Sequence, residues 1–256
     1  MPRLALVSSL LVLALGLACE SGPPAPASVR IAHFVPDAPA ANVCLKPDGT
    51  AAFGTPFVPG GLSFASLSAR TDVDAGTYSV RVVPGAATDC ATSLQGLGDI
   101  TGVSLGEGGA YTVALVGRLA GTGNGSFALQ SYVDDTAAPA APGAKLRYVH
   151  VAPELGTVDV GTISGQFFTP LVSNLSYPGT SNPPYVGYNN GVTGAVLALA
   201  DPGTQNVLLQ GSPFTINGGT VSSLFIIGRP SQGTGDQRLR FLLCPDNGVG
   251  SCTQFP

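Results

Sequence analysis

The chain has 256 residues, only 10% of them charged, with 35 glycines, 22 prolines, no tryptophan and a formal net charge of -4. Its lysines are Lys46 and Lys145 and its calculated isoelectric point is about 4.9, so no basic patch exists to neutralise phosphates and nucleic acid is excluded as a partner. A mean hydropathy of +0.32 excludes wholesale disorder, which goes with low hydrophobicity and high net charge.

Residues 1–18 read as a signal peptide: Arg3 supplies the basic start, Leu4 to Leu17 the apolar block, and small residues close it before Cys19. The block is shorter than the roughly 20 residues a membrane-spanning helix needs, and no later stretch escapes Gly, Pro or charge long enough to span. Cys19 is the odd member of five cysteines. The string Leu15-Gly16-Leu17-Ala18-Cys19 is similar to a bacterial lipoprotein cleavage site, although Gly16 stands where a larger aliphatic residue is usual. We therefore expect lipidation at Cys19, with ordinary signal-peptidase cleavage after Ala18 as the alternative. Residues 19–27, Pro-rich and free of large apolar side chains, are expected to form a disordered tether behind the anchor.

Residues 28–136 form a first unit of short strand-like stretches rich in Val, Ile, Tyr and Phe, at 28–35, 40–46, 62–70, 77–84, 99–105, 110–118 and 126–133. In Tyr78-Ser79-Val80-Arg81-Val82 the apolar residues alternate with polar ones, as a strand with one face in a core and one in water requires. Residues 137–144 are a linker of small residues, and 145–256 a second unit. The segment Val29-Arg30-Ile31-Ala32-His33-Phe34-Val35-Pro36-Asp37 returns as Leu146-Arg147-Tyr148-Val149-His150-Val151-Ala152-Pro153-Glu154, and Gly117-Arg118 returns as Gly228-Arg229. At this latter spacing Asp135 corresponds to Asp246. Duplication of one unit is the expected origin. The stretch 177–191, rich in tyrosine and turn formers, reads as an insertion special to the second unit.

Of the remaining cysteines, Cys44 and Cys90 fall within the first unit, while Cys244 and Cys252 bracket a short turn-rich loop. An exported chain permits oxidation, so 44–90 and 244–252 are the favoured disulfides among three pairings. A zinc site would need closely spaced cysteine pairs, which are missing. Sustained helical periodicity is confined to the signal, and seven strands in about 110 residues suit a sandwich. The fold class is accordingly all-β: two tandem Greek-key β-sandwich domains, prealbumin-like or immunoglobulin-like.

The Arg-x-x-His strand with Pro36-Asp37-Ala38-Pro39, then Asn42-Val43-Cys44-Leu45, Ala75-Gly76-Thr77-Tyr78-Ser79-Val80-Arg81-Val82 and Ala110-Tyr111-Thr112-Val113-Ala114-Leu115-Val116-Gly117, resembles domain of unknown function 4397. The second unit follows the pattern more weakly, with Pro153-Glu154-Leu155-Gly156 in place of Pro36-Asp37-Ala38-Pro39. The resemblance implies exported bacterial proteins with tandem copies of an all-β sandwich, and attaches no activity to them.

His33 and His150 are the only histidines. Equivalent positions invite metal ligation or proton transfer, but Val29, Ile31 and His33 share one strand face, so each imidazole is expected to end an apolar row and bond the following turn. The pairs Asp72/Asp74 and Asp134/Asp135 could offer oxygens to calcium, yet neither lies in a dense acidic loop, and solvated turn carboxylates are expected. A serine-hydrolase elbow is missing, and the glycine strings 106–109 and 121–125 lack phosphate-loop spacing and its lysine. Tyr177, Tyr185 and Tyr188 are the candidates for ligand binding, with a folded-down loop as the competing explanation.

The chain thus reads as an exported cell-envelope lipoprotein with a membrane partner through its anchor, on the outer membrane or cell surface, and a non-enzymatic structural or interaction role. No catalytic residue, cofactor or metal is expected. The alternative is a glycan- or small-ligand-binding envelope protein using the 177–191 loop or the interdomain cleft, and an envelope protein or glycan is the partner to look for.

Overall fold

The computed structural model describes residues 22–230, 237–248 and 251–256, so the signal segment and Cys19 lie outside the described residues. In chain order the strands are β1 (Ala27–His33), β2 (Ala41–Pro47), β3 (Ser66–Leu67), β4 (Thr71–Val73), β5 (Gly76–Pro84), β6 (Ile100–Leu105), β7 (Ala110–Val116) and β8 (Ala128–Val133). They continue as β9 (Ala144–His150), β10 (Val158–Ser164), β11 (Phe167–Leu175), β12 (Gly179–Thr180), β13 (Val186–Tyr188), β14 (Val192–Ala200), β15 (Val207–Ile216), β16 (Val221–Ile227), β17 (Arg240–Pro245) and β18 (Thr253–Phe255). Single 3-10 turns lie at Leu94–Gly96 and Gly123–Gly125. No described helix is long and apolar enough to cross a membrane.

Four sheets result. One has the order β3-β1-β7-β8 with β4 also on β1, and a second is β2-β5-β6. The third runs β12-β9-β16-β17-β18 with β13 also on β9, and the fourth is β11-β10-β14-β15. In the first sheet β1 and β7 run parallel with Val29 beside Tyr111, and in the third β9 and β16 run parallel with Leu146 beside Ser222. The stretch expected as one strand at 62–70 divides into β3 and β4, which pair in turn with the two ends of β1.

Val29, Ile31, Val80, Val82, Val113 and Leu115 make one core within the first half, and Leu146, Tyr148, Leu197, Leu199, Leu224 and Ile226 another within the second. A third joins the halves: Ala32, Phe34, Ala114 and Val116 pack against Val149, Val151, Phe225 and Leu242, with the Phe34 and Phe225 rings 4.8 Å apart. Alternation along β1 explains this, since odd-numbered residues face the first core and even-numbered ones face the other half. The molecule is therefore four sheets deep, and its two inner sheets are covered on both sides. Parallel pairs covered on both faces have near-continuous apolar burial, as in β16, where every residue is buried. Fully covering each of Phe34 and Phe225 contributes roughly 1.5–3 kcal/mol, so the junction is a core in its own right.

This corrects the expectation, drawn from Tyr78-Ser79-Val80-Arg81-Val82, that a strand's second face meets water: on β1 and β9 the other half covers it. Two further corrections concern boundaries. Ala27, assigned to the tether, begins β1 opposite Val73, and Gly108 donates to the Ala25 carbonyl at 3.3 Å, so the end of the tether is sewn onto the first sheet. The 177–191 stretch is not a wholesale insertion: Thr180 pairs with Val149 and Val186 with Leu146, just as Leu67 pairs with Ala32 and Thr71 with Val29. Ser68 and Ser181 confirm the match, accepting from the equivalent amides of Ile31 and Tyr148. Only the short Asn182-Pro183-Pro184 run is longer than its counterpart, Ala69.

Candidate functional site

A densely bonded cluster of charges lies at the junction of the halves. Arg30, on the even-numbered face of β1, is carried into it with Ala32 and Phe34, and Arg147 occupies the equivalent place on β9. Within its own half, Arg30 Nε donates to Thr112 Oγ1 at 2.7 Å and Arg147 Nε donates to Ser223 Oγ at 2.9 Å. Across the junction the fork of each guanidinium grips the other half. Arg30 Nη1 donates to the Pro245 carbonyl at 2.7 Å and Nη2 to Asp246 Oδ1, whereas Arg147 Nη1 donates to the Val133 carbonyl at 2.9 Å and Nη2 to Asp134 Oδ1 at 2.5 Å. Each arginine thus takes the carboxylate of the opposite half together with the carbonyl just before it.

Both carboxylates are satisfied in the same way. Thr112 Oγ1 donates to Asp134 Oδ2 and Ser223 Oγ to Asp246 Oδ2, each at 2.6 Å. The Asp134 amide donates to Ala110 O at 2.8 Å and the Asp246 amide to Val221 O at 2.7 Å, at the start of the equivalent strands β7 and β16. Asp246 therefore matches Asp134 and not Asp135, because the loop before β17 is a residue longer than sequence spacing alone suggests. Asp135 instead pairs with Lys145 at 2.5 Å. Asp134, expected as a solvated turn carboxylate or calcium ligand, has a fully buried side chain. Its acceptor oxygens are taken by guanidinium and hydroxyl donors, which leaves no lone pair directed at a cation.

The symmetry breaks at one position. Arg70, just before β4, donates Nη2 to Asp134 Oδ2 at 2.5 Å; Tyr185, just before β13, donates its hydroxyl to Asp246 Oδ2 at 2.8 Å. The Tyr185 ring also lies 5.0 Å from the Arg147 guanidinium carbon. Three guanidiniums therefore meet two carboxylates. Burial works against the charge on Asp134, but Arg147, Arg30 and Arg70 together hold its carboxyl below the ordinary range. Asp246 is raised, burial and repulsion from Asp134 outweighing Arg30 and Arg147.

The histidines are consumed locally. His33 Nε2 is 3.0 Å from the Pro39 carbonyl while its Nδ1 accepts from the Val35 amide at 3.3 Å. His150 repeats this with the Leu155 and Gly156 carbonyls at 3.0 and 2.8 Å and the Ala152 amide at 3.3 Å. A carbonyl only accepts, so both rings carry their proton on Nε2. Burial lowers both pKa values below 6.5, against the smaller opposing effect of those carbonyls.

A second charge cluster closes one end of the junction. Glu154 accepts from Arg229 Nε and Nη2, each at 3.0 Å, and from Arg118 Nη1 of the other half. Asp37, the counterpart of Glu154, accepts instead from the Leu119 and Ala120 amides at 2.9 and 3.1 Å. Gly117 and Gly228 place the two arginines: their φ values are +85° and +91°, which glycine adopts freely.

Of the three candidate tyrosines, Tyr177 sets its ring edge-on to His150 at 5.6 Å, Tyr188 shares a hydrogen bond with Tyr148 at 2.5 Å, and Tyr185 bonds Asp246. All three point inward and are half-buried. Cys44 is joined to Cys90 and Cys244 to Cys252. No group of three or more His, Cys, Asp or Glu able to hold a metal occurs among the described residues. Two cavities stand out: about 740 Å³ beside Arg30 and Arg70, and about 520 Å³ between Leu209, Leu239 and Phe255.

Sequence reasoning singled out the histidines, cysteines and tyrosines and passed over Arg30, Arg147, Thr112 and Ser223. The signal was present in the repeated Arg-x-x-His, where an arginine recurs beside large apolar residues in both units. A family model described as Domain of unknown function (DUF4397) matches residues 27–161, over half of the chain. No curated protein matches it.

Proposed function

Because the chain belongs to the DUF4397 family, which carries no assigned chemistry, we propose that it is an exported cell-envelope lipoprotein built from two tandem copies of that domain, acting as a non-enzymatic structural or interaction module. The observation that carries this reading is that the groups able to do chemistry are spent on one another: both histidines on their own turns, and Asp134 and Asp246 on the arginines of the opposite copy. Export is supported by the two disulfides, which form and persist in oxidising compartments. The segment 1–18 and the spare Cys19 supply the signal and the lipid acceptor, with residues 20–24 as the spacer to the membrane. A rigid four-sheet body on a short tether suits a spacer or docking platform on a membrane surface.

Mass spectrometry of the membrane fraction tests the anchor. We expect a mature N-terminus at Cys19 carrying diacylglyceryl; a soluble, unmodified product beginning at Cys19 would refute it. A second reading, binding of a small ligand in the cleft between the copies, is favoured by the cavity beside Arg70. The inward hydrogen bonds of Tyr185 and Tyr188 favour the cleft over the 177–191 loop for that role.

A further inference from the structure

We propose that the cavity beside Arg30 and Arg70 is a binding site for a small organic carboxylate. This deepens the second reading above and is independent of the lipid anchor. The starting point is the broken symmetry of the junction. Beside Arg147 the equivalent space is occupied by the Tyr185 ring, whose hydroxyl completes Asp246. Beside Arg30 the residue in that place is Arg70, and a cavity of about 740 Å³ opens there, bounded also by Leu67, Pro245, Asn247 and Cys252.

Charge and geometry select the ligand. Arg30 and Arg70 line the cavity against the single carboxylate of Asp246, while Arg147 and Asp134 lie buried behind them, so the cluster carries one positive charge more than its carboxylates balance. Asp246 also borders the cavity, but its oxygens are already committed to Arg30, Ser223 and Tyr185. Arg70 is the part of the cluster that reaches solvent, with its side chain 22% exposed. One edge of its fork is fixed on Asp134, while its remaining contacts are long: 3.4 Å to Ser28 O, 3.3 Å to Tyr111 O and 3.5 Å to Asp246 O. A guanidinium held on one side by a buried carboxylate and weakly engaged elsewhere is preorganised to take a planar oxyanion. Leu67, Pro245 and the Cys244–Cys252 disulfide supply an apolar wall for the body of the ligand, the usual composition of a small-molecule site.

The test is an NMR titration of the full-length mature protein with benzoate, against benzamide as the uncharged counterpart and sodium chloride at equal ionic strength. We expect saturable shifts of the Arg70 side-chain Nε–H and of the Leu67 and Asn247 amides with benzoate alone. Arg70→Gln should weaken binding about ten-fold or more. Thr136→Glu, an exposed cavity-rim change that leaves the buried cluster whole, should weaken it through like charge. Arg81→Gln, at the distant pair with Asp99, should leave it unchanged. Equal responses to benzoate and chloride, or undiminished binding in both Arg70→Gln and Thr136→Glu, would overturn the proposal while leaving the anchor intact.

Discussion

Arg147 of the second half donates to Asp134 of the first at 2.5 Å, and both side chains are at least 98% buried. Removing a charge from water costs several kcal/mol, and the cost is recovered only while the partner remains. Asp134→Ala is therefore expected to destabilise the protein by roughly 3–5 kcal/mol, because it strands Arg147 and half of the Arg70 fork. Denaturant unfolding reads this directly. The paired replacement Arg147→Met with Asp134→Leu should cost clearly less than Asp134→Ala alone, and an equal or greater loss would mean that packing and not charge pairing governs the site.

The histidines set the acid limit. Protonating either ring adds an N–H at Nδ1, directly facing the amide of Val35 or Ala152. Both folded-state pKa values lie below 6.5. Below pH 6.5 the unfolded chain binds protons that the native chain refuses, so stability is full above that value and falls as pH drops toward the folded pKa values. The slope is bounded at about 2.7 kcal/mol per pH unit, the limit of one proton taken up by each ring. Melting temperatures between pH 7 and 5 check this; His33→Asn with His150→Asn should flatten the profile in that window.

How much of this was legible depends on which side of a strand one asks about. The apolar alternation of Tyr78, Val80 and Val82 reports a core-facing side truthfully, and the sequence likewise placed His33 at the end of the row of Val29 and Ile31. It failed on the opposite side of the same strand. Arginine at 30 and 147 reads as a water-facing residue, and nothing in a single strand tells that another half of the chain will cover it. Position 246 was misaligned for a related reason: one extra residue before β17 shifts the spacing, and only the amide bonds to Ala110 and Val221 restore the match. The cysteine pairs were legible because loop closure within a unit is a local matter.

Reduction should lower the melting temperature. The Cys44–Cys90 bridge spans 46 residues and the Cys244–Cys252 bridge 8, so the first constrains the unfolded chain more. We expect about 2–4 kcal/mol from Cys44–Cys90 and less from the shorter loop. Comparing Cys44→Ala/Cys90→Ala with Cys244→Ala/Cys252→Ala by thermal unfolding separates them.

Gly117→Ala and Gly228→Ala should each destabilise by roughly 1–3 kcal/mol. An added Cβ would sit 2.1 Å from Ser126 O in the first case and 2.1 Å from Arg238 O in the second, at positive φ in both. Gly49→Ala has a similar φ of +84° but open space, so it isolates the conformational part and should cost less.

The two halves share a core and exchange charges, and so form one cooperative body. Scanning calorimetry of the mature chain measures this most directly. We expect a single transition whose calorimetric and van 't Hoff enthalpies agree, shifted as a whole by Asp134→Ala in the first half or by Asp246→Ala in the second. Two separable transitions in the unmutated protein, each responding only to the substitution in its own half, would contradict it.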